Sequence, residues 1–434
     1  MIDRISEVTE EISVSLLEWR RDLHKHAEAG WVEFRTASFV ASKLSSWGYE
    51  IQAGRQVIKD EARMGVPDRA YLEQQEKRAL SQGADPKWLE HFSGGYTGVV
   101  GILDTGRPGP TVGLRVDMDA LDLQESLAFD HVPVKENFVS INPKMMHACG
   151  HDAHTSIGLG AAYVLSRMKD QLKGRIKLIF QPAEEGVRGA KSMVEAGVVD
   201  DVDVFIATHI GLDADLGELI CCDLRFLATT KFDVTYTGKA AHAGDKPEEG
   251  KNALLAAATA ALNLHAIPRH SAGKSRVNVG VLEAGSGRNI IPASARLKVE
   301  TRGETTAINE YVYQKAVQII TSAADMFEVE ARIDLVGAAQ SCAPSEELLG
   351  FIREQAKFVP EIHTINETHV SGGSEDATYM MSRVKERGGL AAYIVFGTSL
   401  AAGHHNERFD IDEKVMSIAV KTLTLCTCNA DRIY

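Results

Sequence analysis

Residues 145–155 read MMHACGHDAHT, and they lead directly into SIGLGAAYVLSRMKD, an apolar segment with helical periodicity. The stretch holds a cysteine, three histidines and an aspartate around Gly150. Because glycine lets the backbone turn, the Cys149 thiol and the His151 imidazole can face one point. This donor pair suits zinc, manganese, cobalt or iron better than calcium or magnesium. Two other interpretations stay open here: a buried apolar cysteine, or a nucleophile activated by His151.

Two aspartates follow a predicted strand upstream of this stretch. The segment TVGLRVDMDAL is rich in β-branched residues and is bounded by proline, and it contains Asp117 and Asp119. In open α/β sheets, ligand sites lie beyond the carboxyl ends of strands, so both side chains can contact or support a metal site. A charged strand end at the solvent edge is an equally good interpretation for Asp117, whereas a functional role is favoured for Asp119.

Two adjacent glutamates follow the next strand, GRIKLIFQ, which ends at Pro182. Adjacent residues on an extended backbone point in opposite directions. One carboxylate of the pair Glu184 and Glu185 can therefore bind a metal while the other faces the substrate as a base. Paired glutamates on a surface turn are common, but a strand end beside Cys149 and His151 favours the functional interpretation.

Further histidines follow two more predicted strands. His209 lies at the end of VDVFIATHIG, where it is either a core residue or another strand-end donor. His404 and His405 lie beyond AAYIVFGTS, so we expect the C-terminal segment to fold back and deliver one of them. His24 and His26 lie on a charged helix end, and we interpret them as surface or packing side chains.

The remaining patterns predict two domains. Apolar spacing predicts a helix over residues 3–26, and residues 59–92 predict an added helical flap. Residues 227–338 show a β-α-β-β-α-β order, which predicts an inserted α+β domain for a lid or dimer surface. We expect an α/β catalytic domain, with a mixed, mainly parallel sheet flanked by helices, to be formed by residues 1–226 and 339–434.

The composition restricts the class of protein. The chain has 434 residues, 44% of them hydrophobic and 25% charged, as in an ordinary globular enzyme. Its length favours two domains. The formal net charge of -13 argues against binding to nucleic acid or to an anionic membrane surface.

The cysteines and the N-terminus indicate a compartment. None of the six cysteines forms a CxxC pair or a disulfide framework, which predicts free thiols in a reducing environment. The N-terminus has no signal-peptide pattern, and no 18-residue apolar stretch is present. The sequence therefore predicts a cytoplasmic protein.

Taken together, the motifs resemble those of the dimetal amidohydrolases of peptidase family M20, in the branch of aminoacylases, hippurate hydrolases and indole-acetyl-amino-acid hydrolases. They occur in the family's order over nearly the whole chain. The motifs are RVDMDAL, MHACGHDAHT, FQPAEEG, THIG, TGKAAHAGDKPEEGKNA, GRNIIPASARLKVETRG, GGSEDAT and HHNERFDIDE.

This resemblance implies roles for individual residues. Glu184 matches the general base and Asp119 a supporting aspartate, although Asp122 stands where the family usually has proline. For the last metal ligand, the spacing of HNERFD favours His405 over His404. The positions matching metal ligands are Cys149, His151, Glu185, His209 and His405. The positions matching substrate-binding residues of the lid are His242, Asn289 and Arg302, the first two from the other subunit.

The resemblance also implies an activity, a cofactor and partners. We expect hydrolysis of the amide bond of an N-acyl amino acid, with p-aminobenzoyl-glutamate as the favoured substrate and two divalent ions, Mn²⁺ or Zn²⁺, as cofactor. A broader aminoacylase or dipeptidase, or a metal-binding partner subunit with little activity alone, are the alternatives. The expected assembly is a homodimer or a complex with a homologous second subunit, without nucleic acid or membrane.

Overall fold

The structure is a computed structural model that describes all 434 residues, Met1–Tyr434. Its strands are numbered in chain order. They are β1 Glu50–Ala53, β2 Val99–Asp104, β3 Thr111–Asp117, β4 Arg175–Gln181, β5 Val204–Ile210, β6 Glu218–Ile220, β7 Ala228–Thr237, β8 Ser275–Ala284, β9 Ser294–Gly303, β10 Glu330–Ala339, β11 Thr364–Asn366 and β12 Leu390–Phe396.

The α-helices are numbered in the same way. They are α1 Ile2–Glu11, α2 Ser13–Lys25, α3 Phe34–Ser46, α4 Arg69–Ser81, α5 Pro86–Phe92, α6 Val132–Lys135, α7 His151–Arg167, α8 Ala190–Glu195, α9 Ala253–His265, α10 Thr306–Met326, α11 Glu346–Ala356, α12 Ala377–Glu386 and α13 Val415–Cys428. None of these helices has both the length and the hydropathy that crossing a bilayer requires.

The chain divides into two compact units. The first unit comprises Met1–Leu224, Cys342–Ser371 and Asp376–Tyr434, and the second comprises Arg225–Ser341 and Gly372–Glu375. The first unit contains an eight-stranded sheet in the order β1-β2-β4-β3-β5-β12-β6-β11. Its central strands β4, β3, β5 and β12 run parallel, so their carboxyl ends lie along one edge.

Helix α7 packs closely against this central sheet. A Cβ atom at Gly158 would lie 2.7 Å from Val116 Cγ2 and 2.9 Å from Phe180 Cε1, so only glycine permits this approach. Nearly all of α7 is buried, which agrees with its apolar sequence. Because the helix begins at His151, the close packing brings the MMHACGHDAHT stretch to the carboxyl ends of β3, β4 and β5.

The N-terminal region differs from its prediction in one respect, and three short strands were not predicted. The helix predicted over residues 3–26 is two helices, α1 and α2, separated at Ile12, whose N–H group donates to Thr9. Strand β1 has four residues, and strands β6 and β11 have three each, too few for a period-two pattern to be recognised. The flap over residues 59–92 contains α4 and α5 and no strand.

The second unit contains its own four-stranded antiparallel sheet, in the order β10-β7-β9-β8. Helices α9 and α10 pack on one face of this sheet, and their alanine-rich faces form its core with alternate residues of β7 and β9. The predicted fold class, a mixed and mainly parallel sheet flanked by helices together with a separate small α+β unit, is confirmed.

Candidate metal-binding active site

The start of α7 orients the first pair of candidate ligands. Gly150 precedes the helix with a φ of 93°, in the left-handed region that favours glycine. A Cβ atom there would lie 2.8 Å from Ile210 Cδ1. The turn at Gly150 places Cys149 and His151 on either side of it, and their donor atoms lie within 4.8 Å of each other and of His209.

His209 has the tautomer that a metal ligand needs. Its Nδ1 atom lies 2.7 Å from the carbonyl oxygen of Ile210. Because a carbonyl only accepts, Nδ1 donates its hydrogen, and in the neutral ring the lone pair of Nε2 is left available. Nε2 lies 3.4 Å from the Cys149 Sγ atom, so the available lone pair faces the thiol.

A second group of donors shares Cys149. Donor atoms of Cys149, Glu185 and His405 also lie within 4.8 Å of one another, and His405 Nε2 is 3.5 Å from Glu185 Oε1. The backbone N–H of His405 donates to the carbonyl of Ala148 at 2.8 Å. His404 is placed differently, because its Nε2 accepts a hydrogen bond from the Leu212 N–H at 3.3 Å. His405 therefore offers a donor atom to the group of Cys149 and Glu185, whereas His404, whose ring packs 5.3 Å from the ring of His209, belongs to no such group.

Asp119 holds the backbone of the glutamate pair. Its Oδ1 accepts from the N–H of Glu184 and its Oδ2 from the N–H of Glu185, both at 2.9 Å. One carboxylate thus fixes two successive peptide groups, which sets the directions in which the two glutamate side chains leave the backbone. Donor atoms of both glutamates lie within 4.8 Å of a His151 ring nitrogen.

Two further carboxylates hold the turn on either side of this pair. Glu33 Oε1 accepts from the N–H of Ala183 at 2.8 Å, and its Oε2 accepts from the Thr97 hydroxyl at 2.6 Å. Burial and then the charge of Asp119 raise the pKa of Glu33 to about 8. After the turn, Asp376 Oδ2 accepts from the N–H groups of residues 189 and 190, at 3.0 and 2.9 Å.

Asp117 and His154 connect two strand ends. His154 Nδ1 lies 2.6 Å from Asp117 Oδ1, and His154 Nε2 accepts from the N–H of Ile210 at 3.1 Å. These two residues and His151 are close enough to hold an ion, but both nitrogens of His154 already have partners. We therefore assign His154 a structural role. Asp117 is wholly buried, so its strand end does not lie at a solvent edge.

The residues present fit a bound metal. His151 is 1% exposed, and neither of its ring nitrogens has a hydrogen-bond partner. Leaving a buried polar atom unsatisfied costs about 1–3 kcal/mol, a cost that metal coordination removes. The mixture of thiol, imidazole and carboxylate donors suits a transition metal. Burial and the charge of Glu185 raise the pKa of the Cys149 thiol, the opposite of what an activated nucleophile requires.

The three substrate-binding residues predicted for the lid lie in the second unit. His242 and Asn289 are neighbours: His242 pairs with Ile290 in an antiparallel bridge, and Ala243 N–H donates to the Asn289 carbonyl at 3.0 Å. Both side chains are exposed. Arg302 lies at the opposite end of β9, where its Nη2 is 3.1 Å from Glu300 Oε1.

Several residues that hold the site were not predicted from the sequence. Glu33 and Asp376 were not proposed, although an acidic residue between Val32 and Phe34 in an apolar run is a signal that could have identified Glu33. The interpretation of His24 as a surface or packing residue is incomplete. His24 is wholly buried, and it bridges Asp152 Oδ2 at 2.8 Å and a second carboxylate, that of Glu125, at 3.0 Å.

The fold and the site together define a class of protein. A mixed α/β sheet that carries overlapping cysteine, histidine and carboxylate donors beside a glutamate pair is typical of metal-dependent hydrolases. The sequence model of peptidase family M20/M25/M40 matches residues 113–427. The chain belongs to this family, and it is an enzyme that hydrolyses amide bonds.

Its relatives are similar over nearly their full length. The chain is 57% identical to the indole-3-acetyl-aspartic acid hydrolase of Enterobacter agglomerans, over 98% of each chain. It is 53% identical to a subunit of the p-aminobenzoyl-glutamate hydrolase of Escherichia coli K12, over 99% of this chain and 98% of the relative. The crystal structure of the aminobenzoyl-glutamate utilization protein from Klebsiella pneumoniae matches with a TM-score of 0.86 and 50% identity, over 98% of both chains. The resemblance inferred from the motifs is confirmed, as is the expected hydrolysis of the amide bond of N-acyl amino acids.

Proposed function

We propose that the chain cleaves p-aminobenzoyl-glutamate to p-aminobenzoate and glutamate, with two divalent ions, Mn²⁺ or Zn²⁺, as its cofactor. The observation that carries this proposal is the sharing of Cys149 by two donor groups, next to a glutamate pair held by Asp119. The side chains assigned to the ions are Cys149, His151, Glu185, His209 and His405.

The residues around the ions divide the chemistry among them. When bound, the ions supply Lewis-acid polarisation of the amide carbonyl and lower the pKa of a water molecule. Glu184 takes a proton from the attacking water at its carboxylate and passes it to the amide nitrogen as the C–N bond breaks. A base in this position contributes about 10²–10⁴-fold to the rate. Asp119 keeps the two glutamates in separate roles, because it orients the peptide groups of both.

The substrate class follows from the relatives' names. The Escherichia coli protein is named for p-aminobenzoyl-glutamate and the Enterobacter protein for indole-3-acetyl-aspartate. Both are amides between an aromatic acyl group and an acidic amino acid. The higher identity to the Enterobacter relative favours indole-3-acetyl-aspartate as a second candidate. We assign Arg302 to the carboxylate of the amino acid, because a guanidinium binds carboxylates with two parallel hydrogen bonds.

The positions of the lid residues support a site built from two subunits. Within the second unit, Arg302 lies about 27 Å along β9 from the strand end nearest Asn289, at about 3.4 Å per residue. This separation exceeds the length of such a substrate, so Arg302 and the pair His242 and Asn289 of one lid serve different sites. We propose a homodimer, or a complex with a homologous second subunit, in which His242 donates to the oxyanion of the neighbouring site. The six free cysteines support a cytoplasmic location.

An assay of the isolated chain tests this proposal. The purified chain, loaded with Mn²⁺ or Zn²⁺, is given p-aminobenzoyl-glutamate, indole-3-acetyl-aspartate, N-acetyl-glutamate and a dipeptide. We expect the highest kcat/KM on p-aminobenzoyl-glutamate. Equal rates on all four would instead indicate a broad aminoacylase or dipeptidase. Metal binding without turnover would indicate a partner subunit, and activity that survives a strong chelator would exclude the metal mechanism.

A further inference from the structure

Arg20 lies at the centre of a buried ion network in the first unit. It belongs to α2 and is 0% exposed. Its three guanidinium nitrogens bind three different carboxylates. Nε donates to Asp152 at 2.9 Å, Nη2 to Asp410 at 2.7 Å and Nη1 to Glu413 at 3.2 Å.

Two of these carboxylates belong to the segments that carry the proposed metal ligands. Asp152 directly follows His151 in the first turn of α7, and Asp410 lies five residues after His405. The two segments are more than 250 residues apart in the sequence. Arg20 is thus a single side chain, bound to neither proposed metal, that contacts both segments from a third element.

We infer that Arg20 is a positioning residue that sets the distance between the segment of Cys149 and His151 and the segment of His405. The inference rests on the metal site proposed above. Its chemistry is that of the guanidinium: a planar fork with fixed N–H directions can hold three oxygens in one arrangement, whereas a lysine ammonium on a flexible stem cannot.

Energetics favour a positional role over a purely stabilising one. Removing two opposite charges from water costs about as much as their attraction returns, so a buried ion pair contributes little net stability compared with apolar residues of the same size. A buried arginine with three carboxylates is therefore a poor device for stability alone. It does, however, restrict the geometry, because any shift of Asp152 or Asp410 lengthens a charge-assisted hydrogen bond.

The next residue in the chain provides a matched control. Arg21 also binds Glu413, with Nη2 at 2.7 Å, and its Nη1 binds Glu136 at 2.7 Å. It contacts neither Asp152 nor Asp410 through an ion pair, and it is partly exposed. Arg21→Lys therefore makes the same chemical change on the same helix while leaving the ion pairs of Arg20 with Asp152 and Asp410 in place.

The experiment compares the full-length wild type, Arg20→Lys, Asp410→Asn and Arg21→Lys, each stripped of metal and titrated with Mn²⁺ alone. Circular dichroism establishes that each is folded, and competition with a chromophoric chelator gives Mn²⁺ affinity and stoichiometry. We expect Arg20→Lys to bind Mn²⁺ about 10–100-fold more weakly, as for other residues that orient ligands. Asp410→Asn should weaken it in the same direction, and Arg21→Lys by less than about twofold. Activity should be regained at high Mn²⁺, because the ligands themselves remain.

Each outcome either supports or overturns the role inferred for Arg20. Wild-type Mn²⁺ affinity in folded Arg20→Lys overturns the inference, and so does an equal loss in Arg21→Lys. If Arg20→Lys does not fold, Asp410→Asn decides in the same way; if neither folds, Arg20 acts on folding itself and the inference is wrong. A wild type that binds no Mn²⁺ refutes the metal site, and the inference with it. If the wild type binds two ions and Arg20→Lys binds them with the same affinity, the metal site stands and only the role of Arg20 is refuted.

Discussion

The strand-end cluster of the first unit and the lid residues of the second differ in how their side chains are held. In the cluster, Asp119 holds the two glutamate peptides and His209 has its tautomer set by a carbonyl. In the second unit, His242 and Asn289 are exposed and are placed mainly by their backbone. The side chains and peptides of the cluster are therefore held by hydrogen bonds before any substrate is present, whereas the exposed side chains of His242 and Asn289 are not fixed by burial.

The largest expected effect comes from substituting the two glutamates one at a time, which distinguishes the base from the metal ligand. Glu184→Gln should lower kcat by about 10²–10⁴-fold while Mn²⁺ stoichiometry is unchanged, because the base is lost and the ligands remain. Glu185→Gln should lose bound metal. Steady-state kinetics and metal analysis of both variants check this. Full activity in Glu184→Gln would exclude its assignment as the base, and metal loss in both variants would show that Asp119 does not separate their roles.

The second prediction concerns the protonation of His24, which lies in the buried ion network behind the cluster. Burial alone lowers the pKa of His24, but its hydrogen bonds to Asp152 and Glu125 outweigh burial and the charge of Arg20, and raise the pKa to about 9. The folded state thus holds a proton that the unfolded chain releases near pH 6.5. The resulting stability is complete below about pH 6.5 and is lost as the pH rises through about 9.

Urea unfolding of the metal-free protein between pH 6 and 10 measures this loss. The free energy of unfolding of the wild type, minus that of His24→Gln, should fall by about 3 kcal/mol across the window, at 1.36 kcal/mol for each pKa unit. His26→Gln, a change at the partly exposed end of the same helix, serves as the control. The prediction fails if the difference between wild type and His24→Gln is independent of pH.

A third prediction compares the two neighbouring histidines at the C-terminal edge of the cluster. His405→Ala should weaken Mn²⁺ binding by at least about a hundredfold, the upper end of what even orienting residues cost. His404→Ala should cost much less, because His404 Nε2 already accepts the Leu212 N–H. Chelator competition gives both affinities, and a larger loss in His404→Ala would move the ligand by one residue.

The sequence predicted the donors at the strand ends, but it did not predict the contacts that hold them in place. Strands such as β3 and β5 carry strong local patterns, and the meeting of their carboxyl ends follows from parallel pairing. The donors at those ends could therefore be proposed together. The long-range contacts that hold them were not predictable, because Glu33 contacts Ala183 across 150 positions and Arg20 contacts Asp410 across 390. Such contacts depend on which distant segments meet, and no local period encodes that.

The smallest expected effect belongs to Arg302, which we propose binds the carboxylate of the substrate's amino acid. Arg302→Gln should raise KM about tenfold with kcat little changed, because the lower end of what a charge-assisted hydrogen bond contributes, about 1.5 kcal/mol, is lost from ground state and transition state alike. Arg276→Gln is the matched control, because Arg276 lies opposite Arg302 on the adjacent strand. A fall in kcat with KM unchanged would mean that Arg302 acts on the transition state, and that the lid is as preorganised as the cluster.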